Sequence, residues 1–137
     1  MSALDLTVRI GDMTMKNPVM VASGVFGYGD EFMGLADYGE LGALVLKTVT
    51  REPRAGNPPA SRTAETPAGM VNAIGLENVG IEAFLRDKLP AALSYHTNIC
   101  ASIAELGEAQ LHHLGDEDSL HRLAHEGDFR AEGLDLG

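Results

Sequence analysis

The chain has 137 residues, 45% of them hydrophobic and 22% charged, with a formal net charge of −10. That is enough for one domain with a real core but short of the about 250 residues of a complete α/β barrel. The acidic balance speaks against nucleic-acid binding, which needs clustered Lys and Arg. No apolar run is long enough for a membrane span, and the opening MSALDLTVRIGD does not read as a secretory signal. The single cysteine, Cys100, excludes an internal disulfide and suits a reducing cytoplasm.

Charge divides the chain unevenly. Residues 1–93 carry 11 acids and 8 bases, whereas residues 94–137 carry 9 acids, 2 bases and all five histidines. Such a shift can mark a domain boundary, a solvated helix or a foreign tail; the organisation expected is a body over 1–93 followed over 94–137 by a divergent acidic, His-containing tail or a degraded β/α unit.

In chain order, Leu4–Ile10 alternates apolar and polar residues and predicts a strand with one buried face. Gly11-Asp12 supplies a turn, and Met13–Met15 a returning strand. Pro18–Ala22 (PVMVA) is nearly all apolar, as in a strand buried on both faces. Asp30 is expected to cap a short helix ended by Gly39. Leu41–Val49 reads as a second buried strand, giving β–α–β with a crossover too long for a hairpin. Arg51–Met70, rich in Pro, Gly, Asn and Thr, is a long loop, and loops of that length usually carry function or are disordered. Ile81–Leu89 has helical spacing, interrupted by Pro90. Ile99–Ile103 is expected as a third strand, Ala109–Ala124 as a charged helix, and Phe129–Leu136 as the start of a fourth strand. Three or four β/α units predict a parallel sheet with covering helices. Periodicity alone leaves an open doubly wound sheet and part of a closed barrel equally available.

Candidate chemistry lies at the strand ends, where parallel α/β domains bind ligands. The first buried strand ends in Ala22-Ser23-Gly24, small residues past which a flat ligand can reach the backbone; a plain turn reads the same way. The second ends in Leu46-Lys47-Thr48. Lys47 is the one charge in an apolar run, so it must snorkel out or meet an anion. Neither GxGxxG nor a Walker lysine occurs. Cys100 falls within the third strand and reads as a small buried residue. Glu117, His121 and His125 could share a helix face, and His112 and His113 are adjacent. Arg122, however, stands where a zinc protease would need Glu. A structural or solvated role is preferred, and no metal is expected.

The segments KNPVMVASGVFGYG, LGALVLKTVT and REPRAGNPPASRTAETPAGMVNAIGLENVG, in this order over residues 4 to about 93, resemble the class 1 dihydroorotate dehydrogenases. The forms GNPP, AETPAGM and NAIGLEN are most similar to the heteromeric, NAD-linked class 1B catalytic subunit. The resemblance implies an α/β fold: a partial (β/α)8 TIM barrel, its first three to four β/α units preceded by a β-hairpin. It further implies FMN at the barrel mouth and oxidation of (S)-dihydroorotate to orotate in pyrimidine synthesis. By position, Ala22, Ser23, Gly24 and Thr48 match flavin contacts, and Lys47 matches a lysine touching both flavin and substrate. Asn72 matches a substrate-binding asparagine, and Ala73, Ile74, Gly75 and Leu76 match the segment lining the same pocket. Ser102 stands in the place of a common flavin-binding asparagine, and Glu105 in that of a usual glycine.

Beyond about Leu93 the likeness degrades, and no counterpart of the loop carrying the family's catalytic base is present. The chain is therefore expected to be an N-terminal part of the barrel, cytoplasmic and inactive alone. In the full-length family it would meet an iron–sulfur/FAD electron-transfer subunit and a second catalytic chain. Two other readings stay open: a non-catalytic product that only associates with other chains, and a related FMN barrel acting on pyrimidines.

Overall fold

The structure is a computed structural model that describes residues 4–59 and 62–104 in full, and 105 and 108–114 as backbone. Its centre is a four-stranded sheet. The strands β3 (Met20–Val21), β4 (Ala43–Val45) and β7 (Asn98–Glu105) run parallel in that spatial order. The expected neighbours and their direction are thus observed. A hairpin of β1 (Val8–Ile10) and β2 (Met13–Met15) precedes them, pairing Val8 with Met15 and Ile10 with Met13.

Period-two alternation divides the sheet into two faces. On one side Leu44, Leu46, Ile99, Ala101 and Ile103 pack against Ile81, Phe84, Leu89 and Ala92 of the following helical segment and against Tyr28, Tyr38 and Tyr95. On the other, Ala43, Val45 and Cys100 meet Met13 and Met15 from the hairpin. Both faces of β4 are therefore covered, which is why Leu41–Val49 reads as nearly unbroken apolar sequence.

The connection from β3 to β4 differs from expectation. Instead of a helix capped by Asp30 there are two short 3₁₀ turns, Asp30–Phe32 and Tyr38–Glu40. Gly29 and Gly34 take left-handed backbone angles of φ 94° and 92°, which stop helix propagation in both directions. Asp30 instead pairs with Lys88, and Asp37 accepts the Gly39 N–H to close the second turn. Pro90 likewise fails to end its helix. The segment runs through α1 (Ile81–Ala83), a π turn (Phe84–Lys88) and α2 (Leu89–Leu93), with the proline in the first turn of α2. The wider π turn just before it accommodates the missing N–H and the ring.

The third predicted helix is corrected over its first residues. Glu108–Leu114 forms β8, antiparallel to β7, with Ile99 opposite Leu114 and Glu105 opposite Glu108. Leu111 and Leu114 have helical spacing, but pairing with Ile99–Glu105 of β7 prevails, a tertiary override of local pattern. The sheet is thus mixed rather than wholly parallel. The rest of that helix and the strand expected at Phe129–Leu136 lie outside the described residues, as do Glu117, His121 and His125. Among the described residues no helix is long and apolar enough to cross a membrane.

Candidate functional site

Three hydroxyls meet at the C-terminal ends of the parallel strands. Ser23 follows β3, Thr48 follows β4, and Ser102 lies within β7. Ser23 Oγ is 3.0 Å from the Leu46 carbonyl and 3.1 Å from Thr48 Oγ1; Thr48 Oγ1 is 2.8 Å from Ser102 Oγ. A hydroxyl has one proton. Because that of Ser23 goes to the Leu46 carbonyl, Thr48 donates to Ser23, and Ser102 donates to Thr48. The row uses all its donors and keeps lone pairs free, so it can still accept an N–H from a ligand. Beside it Ala22 and Gly24 are exposed. Gly24 has φ 84°, and a Cβ placed there would find nothing within 4 Å, so the backbone lies open.

Lys47 sits between the Leu46 and Thr48 ends of this row. Its N–H donates to the Gly27 carbonyl at 2.8 Å, which fixes the backbone but leaves the side chain half-buried. Among the described residues no carboxylate pairs with it.

From the end of β4 the chain makes a long excursion that closes on itself. The Ile81 N–H donates to the Arg51 carbonyl at 3.3 Å, and Arg54 and Asn78 exchange backbone hydrogen bonds of 3.0 and 2.9 Å. Asn78 is the fastener. Buried to 6% exposure, its Oδ1 accepts the N–H groups of Thr50 (3.1 Å) and Gly80 (2.9 Å). Its Nδ2 donates to Thr50 Oγ1 (3.0 Å) and the Leu76 carbonyl (2.8 Å). The sequence contains this asparagine within NAIGLEN, but its main partner is 28 residues upstream, and no local signal marks it.

The excursion is not a structureless loop. It carries a hairpin of β5 (Thr63–Thr66) and β6 (Gly69–Asn72), exposed throughout, in which Asn72 pairs with Thr63. After it, Ala73 to Leu76 turns sharply, with Gly75 at φ 79° and Leu76 at φ 55°. A leucine in that conformation is strained by about 1–3 kcal/mol and needs surroundings that impose it. Asn57 N–H donates to the Ile74 carbonyl at 2.9 Å, and Asn57 Nδ2 to the Ala73 carbonyl at 2.8 Å. Arg62 reaches the carbonyls of Asn57 and Ala55 and pairs with Glu77.

The structure therefore joins Ser23, Thr48 and Ser102 directly and sets Ala22, Gly24 and Lys47 beside them. Asn72, Ala73, Ile74, Gly75 and Leu76 lie on the excursion fastened just beyond Thr48, and no hydrogen bond ties Asn72 to Lys47 among the described residues. Glu105 is placed only as backbone in β7. Cys100 is buried with Sγ 3.8 Å from Met13 Sδ, and burial pushes its thiol up to about 11. That makes it inert at neutral pH, as a small core residue should be.

The family profile described as dihydroorotate dehydrogenase matches residues 5–119. Proteins named dihydroorotate dehydrogenase B (NAD(+)), catalytic subunit, are similar. That of Desulforudis audaxviator is 53% identical over 71% of this chain and 31% of its own length. The Thermodesulfovibrio yellowstonii protein is 50% identical over 69% and 31%, and the Solidesulfovibrio magneticus protein 52% over 74% and 33%. A dihydroorotate dehydrogenase structure from Eimeria tenella, solved with ferulenol, overlays at TM-score 0.49 and 21% identity, over 74% of this chain and 29% of that one, too loosely to carry an argument. The chain spans about a third of the length of the curated relatives it matches. With a profile match over most of its residues, the chain belongs to the dihydroorotate dehydrogenase family.

Proposed function

We propose that these residues form the flavin- and substrate-facing arc of a (β/α)8 barrel that oxidises dihydroorotate to orotate, with FMN as hydride acceptor, in the NAD-linked manner of the class 1B catalytic subunits. The observation that carries the reading is the hydroxyl row Ser23–Thr48–Ser102 with Lys47 beside it, at the strand ends where barrels do their chemistry. These residues fit FMN. Ala22 and Gly24 offer open backbone to a flat ring, and the lone pairs of the row can accept an imide N–H. Lys47 would lie against the ring and the substrate's anionic group, where a fixed cation stabilises negative charge. Bound there, FMN would supply the two-electron chemistry. Asn72 offers the paired donor and acceptor that a planar pyrimidine requires, next to the fixed backbone of Ala73–Leu76.

Turnover belongs to a complete barrel, and these residues by themselves are proposed not to perform it. Barrel cofactors usually hold their phosphate at the loops after strands seven and eight, and general-base help is worth about 10²–10⁴-fold in rate. In the family setting the partners are an iron–sulfur/FAD electron-transfer subunit and a second catalytic chain, in the cytoplasm. The test uses the purified 137-residue chain with excess FMN, followed anaerobically as dihydroorotate is added. Weak, non-stoichiometric FMN association that is lessened in Lys47→Ala is expected, without bleaching above free flavin. Stoichiometric retention of FMN, or substrate-dependent bleaching, would show that the arc rebuilds the site by itself. FMN association unchanged by Lys47→Ala would remove that residue from it.

A further inference from the structure

We infer that Asn57 and Arg62 are positioning residues for the pyrimidine pocket: together they impose the left-handed turn at Ala73–Leu76. The inference rests on the proposed reading of that segment as pocket wall. Leu76 keeps φ 55° while 40% exposed, so burial of its side chain gives the strained backbone little return. The constraint must come from hydrogen bonds, and Asn57 supplies two of them, to the consecutive carbonyls of Ala73 and Ile74. It also lies directly against Gly75, where a Cβ would come within 2.8 Å of Asn57 N and 2.9 Å of its Cγ. Arg62 closes the clamp. Its carbonyl accepts the Ala73 N–H at 2.7 Å, and its guanidinium spans from the Ala55 and Asn57 carbonyls on one leg of the excursion to Glu77 on the other. A planar fork with several donors can bridge both legs at once; a lysine ammonium holds fewer of those contacts.

None of these side chains belongs to either apolar cluster. A purely structural staple would affect folding. A positioning staple affects how often the turn is ready for its ligand, and apparent affinity falls with that fraction. The experiment is an NMR titration of the isotopically labelled 137-residue chain, in the presence of FMN, with orotate as the probe. Amide exchange at Ala73 is measured on the same samples.

Asn57→Ala is expected to speed that exchange and to weaken orotate binding, each about tenfold, corresponding to a competent fraction near one in ten. Arg62→Lys, which keeps the charge and the backbone acceptor, is expected to move both in the same direction by less. Thr66→Ala, on the exposed hairpin, is expected to move neither. Orotate binding at native strength in both Asn57→Ala and Arg62→Lys overturns the inference, whether or not exchange accelerates. A native chain in which orotate perturbs nothing at residues 72–76 overturns the pocket reading itself and the positioning role with it. The two failures are separated by the native sample.

Discussion

The sheet and the excursion after β4 hold their shapes by different means. In the sheet, β4 has apolar contacts on both faces, and Leu44 and Leu46 are fully buried. In the excursion every residue of β5 and β6 is exposed, and order comes from Asn78, Asn57 and Arg62 acting on backbone groups. The contrast divides labour. Burial gives a rigid edge on which Ser23, Lys47 and Thr48 are fixed, and hydrogen bonding shapes the segment proposed as pocket wall without making it part of the core. A substitution should therefore report its region by what it disturbs.

The sharpest way to break the comparison is at Phe84. Its ring is fully buried between the sheet and the helical segment, 5.8 Å from the Tyr28 ring. Phe84→Ala is expected to destabilise the chain by about 3–5 kcal/mol, through lost transfer energy and the cavity left behind. Urea unfolding measures it. A loss under about 1 kcal/mol would mean that the helix does not depend on this face and that burial is not what orders the sheet.

Asn78→Ala asks the corresponding question of the excursion. It leaves the N–H groups of Thr50 and Gly80 without their acceptor, and an orphaned buried donor costs about 1–3 kcal/mol. A global loss near 2 kcal/mol, smaller than at Phe84, is expected, together with faster amide exchange confined to residues 51–80. Acceleration spread equally over β4 and β7 would show that sheet and excursion open as one unit, and the distinction drawn above would fall.

The same contrast explains what could be read beforehand. The strands at β2, β3, β4 and β7 were legible because burial leaves alternation or apolar runs in the sequence, and Cys100 was legible as core for the same reason. The segment from Asp30 to Gly39 misled because Asp30 resembles a cap while its carboxylate serves Lys88, and because glycine conformations are invisible in the letters. Asn78 and Arg62 stayed silent because their partners lie far off in sequence or are carbonyls, which every residue has. Motif resemblance singled out Lys47 and Asn72 as candidates, whereas the link from Ser23 through Thr48 to Ser102 is visible only in the fold.

The smallest expected effect concerns Cys100 and tests whether the hairpin side of the sheet is as dry as the helical side. Burial against Met13, Met15, Ala43 and Val45 raises the thiol from 9.0 to about 11. Between those values the unfolded chain has given up its thiol proton while the folded chain keeps it. The unfolded state then binds fewer protons, so stability must fall as pH rises through this window and is fully present below it. The slope from one such group is at most about 1.4 kcal/mol per pH unit. The Tyr28, Tyr95 and Lys88 groups are also shifted upward and add losses of the same sign, so the single-variant difference is what isolates the thiol. Unfolding midpoints of the native chain and of Cys100→Ala, followed from pH 8 to about 11, should converge as pH rises, the variant starting lower and declining less steeply. Parallel curves would mean that the thiol titrates alike in both states, which requires water to reach it between the hairpin and β4. The hairpin would then be a loosely seated cover rather than a second core layer.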